Sequence, residues 1–129
     1  MVTTSEVIVG TKQLEQKLKE IENSLEQLQQ EKIDLPRFDM VYLEQQLDKI
    51  EDASGKLQQE KVEVLNNLSS NYMVLGRYAD AEKHFKMLLE LKPYTGKNPA
   101  DDPVGFWAQE SIELCVQLRE MIQNDSYRH

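Results

Sequence analysis

The sequence predicts an all-α protein built from antiparallel helical hairpins: two coiled-coil-like N-terminal helices, a tight helical hairpin and a capping helix. Three observations predict it. Apolar residues recur at steps of three and four along most of the chain, Glu, Gln, Lys and Leu are abundant, and only 5 Gly and 4 Pro punctuate 129 residues. At that length the chain buries one core and folds as a single domain.

The opening stretch, residues 1–10, has no helical period and only Val7, Ile8 and Val9 as an apolar run, so it reads as a flexible arm. It lacks the basic and apolar regions of a signal peptide and is too short to cross a membrane. From Thr11 the apolar residues are Leu14, Leu18, Ile21, Leu25 and Leu28, a heptad seam on an amphipathic helix that ends near Lys32. Three heptads alone are marginal, so the seam needs a partner. That partner is either the next helix or a second copy, which would make a homodimer through Leu14, Leu18, Ile21, Leu25 and Leu28.

In "IDLPRFD", Asp34 is placed to cap a second helix and Pro36 to open it. This helix carries Phe38, Val41, Leu43, Leu47 and Ile50. A break is expected near Ser54 and Gly55, since a helix unbroken from Pro36 to Leu75 would be about 60 Å long. Residues 56–93 then form the hairpin. Its first helix has Leu57, Val62, Val64, Leu65, Leu68, Tyr72 and Leu75 on one face, Gly76 stops it, and a second begins at Ala79 with Ala81, Phe85, Leu88, Leu89 and Leu91. Ala81 falls at the close crossing of the two helices and Phe85 fills the space deeper in the hairpin, while Pro93 terminates the second helix. A polar loop follows. Asp102 and Pro103 read as the cap and first residue of a last helix, 103–123, whose stripe of Val104, Trp107, Ala108, Ile112, Cys115, Leu118 and Ile122 covers the hairpin, with Trp107 and Cys115 in the core. Residues 124–129 form a tail.

The segment Val62 to Pro93 resembles a tetratricopeptide repeat, with Leu65 for the usual Trp, then Leu68, Tyr72, Ala81, Phe85 and Pro93 at the signature positions. Ser69 replaces the common Gly, and Leu88 a small residue. Over Val62 to Leu118, "LNNLSSNYMVLGRYADAE" and "DDPVGFWAQESIEL" are similar to the repeats and inter-repeat loop of kinesin light chains, although there is room here for one repeat and a following helix. The resemblance implies a concave groove lined by Glu63, Asn66, Ser70, Met73 and Val74, with Asn67 at its edge, in which Asn amides hold the backbone of an extended peptide. The basic clamp with which some family members hold a terminal carboxylate is missing from these positions.

Other functions find little support. A net charge of −8, with basic residues dispersed among acids, repels nucleic acid. "TGK", Thr95 to Lys97, fails as a phosphate loop because Leu91 stands for the first Gly and Asn98 for the metal-binding hydroxyl. His84 and His129 have no ligand cluster at metal spacing, and no pair of acids stands out for general acid and base work. No enzyme activity, cofactor or metal is expected. The single Cys115 excludes an internal disulfide, so a reducing compartment and the cytoplasm are the default. The triplets at Asn67 and Asn124 match the glycosylation pattern by chance. The expectation is an adaptor or assembly factor that presents the groove to a protein or peptide. Its rival is an oligomerising subunit in which the heptad helix carries assembly.

Overall fold

The computed structural model describes residues 3–92 and 102–127, with side chains to Asn124. Pro93, the loop to Asp101, the "TGK" triplet and His129 lie outside the described residues. Four helices follow one another, α1 Thr4–Asp34, α2 Met40–Val74, α3 Tyr78–Leu91 and α4 Pro103–Tyr127, and the described residues contain no strand. Each packs on the next in the chain, and a smaller contact joins α2 to α4.

The expected flexible arm is helical from Thr4 onward. Thr3 caps α1 in a full capping box: its hydroxyl accepts from the Glu6 amide while the Glu6 carboxylate accepts from the Thr3 amide. Residues 4–10 are therefore helical. The helix continues into Thr11, which is buried and donates its hydroxyl to the Val7 carbonyl at 2.7 Å, so Thr3 and Thr11 anchor turns that show no helical apolar period. At the other end α1 runs to Asp34. Leu35 is extended, with φ −61° and ψ 134°, because the ring of Pro36 disfavours a helical residue before it. Asp34 therefore closes α1 and does not cap α2. That task falls to Asp39, whose Oδ1 accepts from the Val41 and Tyr42 amides at 3.1 and 3.2 Å.

The expected break at Ser54 and Gly55 does not occur. α2 is continuous over 35 residues, about 50 Å. The length is accommodated because α1, at 31 residues, lies antiparallel along it: Lys61 pairs with Glu22 at 3.7 Å, and Gly10 lies beside Asn71. Gly76 is the true stop. Its φ of +76° and the bonds Arg77 N–H to Tyr72 C=O (2.8 Å) and Gly76 N–H to Met73 C=O (3.2 Å) complete a Schellman motif.

The heptad seam is used within the chain. Leu18 and Ile21 are buried, and Leu14 and Leu25 pack on the same cluster, against α2. A homodimer through Leu14, Leu18, Ile21, Leu25 and Leu28 would compete with this hairpin. The core itself gathers Leu65, Leu68, Ala81, Phe85, Leu88, Ala108 and Cys115, all fully buried. α4 starts as expected, with Asp102 Oδ1 accepting from the Gly105 amide at 2.9 Å, but it extends through residues 124–127 in place of a tail. It covers α3 through Ala108 and Cys115, and Glu82 on α3 holds Arg119 at 2.9 Å.

Two glycines should respond in opposite ways. Gly55→Ala, with open space around the Cβ, should raise stability by about 0.5–1 kcal/mol, while Gly76→Ala should lower it by about 1–2 kcal/mol, measured by urea unfolding. Ala81→Leu should cost about 1–3 kcal/mol in the same assay, because it overpacks the core, and the exposed Lys83→Ala should be neutral.

Candidate functional site

The residues singled out for partner binding occupy two neighbouring stripes of α2. Glu63, Asn67, Ser70 and Val74, at steps of four, three and four, run along the face opposite the core; Glu63, Asn67 and Val74 are exposed and Ser70 is half-buried. The Ser70 hydroxyl donates to the Asn66 carbonyl at 2.8 Å, within its own helix. Asn66 and Met73, seven residues apart, form the second stripe and are both half-buried, and Met73 belongs to the α2–α4 contact. The Cys115 thiol reaches the Met73 thioether at 3.1 Å, and the Oδ1 of Asn66 is shut off from solvent with no hydrogen-bond partner among the described residues. Asn66 thus cannot offer that oxygen to a peptide without turning its amide outward. Asn67 can offer its own.

One end of this surface is held by Tyr72. Its ring packs 5.0 Å from that of His84, the Arg77 guanidinium lies 4.5 Å from its centroid, and the charge of Glu15 on α1 acts on its hydroxyl. Three helices therefore meet on one phenol. His84 is half-buried here, and its Nδ1 lies 2.7 Å from the Asp80 carbonyl. Burial pushes the Tyr72 hydroxyl up to about 12; the Glu15 carboxylate adds to the rise and Arg77 opposes it.

Cys115 is also raised, by burial and then by Glu82, against the pull of Arg119, so the thiol stays protonated and unreactive in its packed position. Glu82, nearly buried on α3, is held by Arg119 at 2.9 Å and by Lys86 at 3.3 Å. The Glu82–Arg119 pair ties α3 to α4, and the Lys86–Glu82 pair stays within α3. Among the described residues no three His, Cys, Asp or Glu side chains gather closely enough to hold a metal ion, and no described helix is long and apolar enough to cross a membrane.

Comparisons with family models, curated proteins and solved structures find no match for this chain. Its surface must be read from its own geometry, and two exposed apolar regions escaped the sequence. Trp107 is 42% exposed, although its ring meets that of Phe85 nearly at right angles with centroids 5.0 Å apart, and with Leu114 and Met121 it forms a stripe at steps of seven on the outer side of α4. Trp107, expected in the core, is thus only partly covered. The other region surrounds the α1–α2 link, where Ile33, Phe38, Met40, Val41 and Tyr42 are all exposed. Helical spacing places Phe38 and Val41 on the apolar stripe of the second helix. Their density beside a Pro-containing link was the available signal.

The titration of Tyr72 has a defined consequence. Its folded-state value lies above the ordinary 10, so its contribution is fully present below pH 10 and is lost as pH rises through 12. Unfolding free energy should fall by up to about 2–3 kcal/mol between pH 9.5 and 12 in the wild type and by distinctly less in Tyr72→Phe, as followed by urea unfolding at each pH.

Proposed function

We propose that this chain is a non-enzymatic protein-interaction module, an adaptor or assembly factor, in which α2 and α3 form a tetratricopeptide hairpin that presents the outward face of α2 to an extended peptide or a helix. The division of α2 into two faces carries this reading. The signature residues Leu65, Leu68 and Tyr72 share a core with Ala81 and Phe85, whereas Glu63, Asn67, Ser70 and Val74 on the opposite face take no part in that core. A face that supports no packing is free to bind. Its chemistry is mixed: Asn67 offers both a donor and an acceptor to a peptide backbone, Val74 an apolar contact, and Glu63 a preference for a basic neighbour.

A display library of unstructured peptides tests the proposal. Binders selected on the wild type should lose about 1–3 kcal/mol, roughly five- to a hundredfold in affinity, on the Asn67→Ala, Val74→Asp variant, with no change in melting temperature. They should keep full affinity for Lys83→Ala on α3. Binders indifferent to the α2 changes but lost on Leu114→Asp would move the site to the outer side of α4.

A further inference from the structure

Beyond the core, α1 and α2 continue as a bare pair. No side chain from Glu22 to Glu63 is fully buried, and the residues that face one another across the pair, Leu25, Leu28, Leu43, Leu47 and Ile50, stay half-exposed because no third helix covers them. From Ile21 to Asp34 this arm projects about 20 Å. At its tip five large apolar side chains stand exposed within ten residues, with Phe38 at 90% and Val41, Met40 and Ile33 each above half. Phe38 is held out on the link itself, next to Arg37.

The same tip has a place to receive them. A shallow cleft between the end of α1 and the start of α2 is floored by Leu28, Leu35 and Ile50 and rimmed by Glu31 and Asp34 on one helix and Lys49 on the other. Arg37 has no acid within ion-pair distance among the described residues, and Glu31 and Asp34 have no cation. A patch that holds an aromatic knob beside a cation and an apolar hole beside two anions is complementary to itself under a two-fold rotation. Charges of both signs also let two copies of an otherwise acidic chain approach here.

We infer that two copies of this chain pair tip to tip through these arms. Phe38 of each copy seats in the Leu28, Leu35 and Ile50 cleft of the other, and each Arg37 lies against the Glu31 and Asp34 of its partner. The overlapping arms form a short four-helix bundle that covers Ile33, Met40 and Val41. This contact is independent of the α2 face, which lies at the other end of that helix, and it differs from a seam through Leu18 and Ile21, which the hairpin already occupies.

Charge exchange tests it in the full-length protein. Sedimentation equilibrium of the wild type should show a mass rising with concentration from one chain, 15.0 kDa, toward two. Arg37→Glu alone, and Glu31→Arg with Asp34→Arg, should each weaken the dimer at least about tenfold, because like charges then face each other. An equimolar mixture of the two variants should regain it, since opposite charges then meet at both contacts of the mixed dimer. Phe38→Ser should abolish association and leave the circular dichroism and melting temperature unchanged. A monomer at every concentration, a dimer insensitive to the exchange, a mixture that fails to recover, or a dimer dissociated only by Leu114→Gln on α4 would each overturn the inference.

Discussion

The packing around Phe85 is the contact on which the other helices depend. This ring is fully buried in the α2–α3 hairpin, in one cluster with Leu65, Leu68 and Ala81. Ala81 has no side chain beyond Cβ, so the core admits the ring there without forcing the helices apart. Trp107 of α4 then meets the same ring nearly at right angles, and Leu18 and Ile21 of α1 join the cluster from the far side of α2. Tyr72 serves the same purpose on a polar scale, gathering Glu15, Arg77 and His84 around one side chain. Without that cluster α3 would have nothing to lie on, and α4 would lose its floor.

From this centre the burial falls away in two directions, and the chain behaves differently along each. Toward α4 the packing ends in one more layer, locked by the Glu82–Arg119 pair, whose shielded carboxylate also meets Lys86. Toward the arm there is no such layer. A two-stranded antiparallel pair can only half-bury its seam, because each side chain has a facing helix but no flanking one. The arm therefore combines high helical order with low burial, and its apolar tip stays in water unless another surface reaches it.

The helices and most of their boundaries were legible in the sequence. The heptad seam, the Gly76 stop, the Asp102 cap and the burial of Ala81, Phe85 and Cys115 all follow from spacing and local chemistry, which act within a turn or two of the chain. Local signals misled where two of them competed. Gly55 weakens a helix by about 1 kcal/mol at most, too little to break one that α1 supports on its flank. Asp34 and Asp39 are both good caps in isolation, and because Pro36 holds Leu35 extended and closes α1 at Asp34, capping of α2 falls to Asp39. The first turns of α1 were missed because a capping box and a buried Thr11 leave no apolar period to see.

The candidate surface was legible only in part. That Glu63, Asn67, Ser70 and Val74 share a face is a consequence of helical geometry and needed no structure. That the Asn66 side-chain oxygen is shut off from solvent, that Met73 meets Cys115 of α4, that Trp107 stays partly in water, and that Phe38 projects from the arm were decided by tertiary structure alone. Periodicity records which apolar residues lie on one side of a helix. How many neighbouring helices come to cover that side depends on where the chain turns back and how far each helix runs past the next, and no local pattern encodes that.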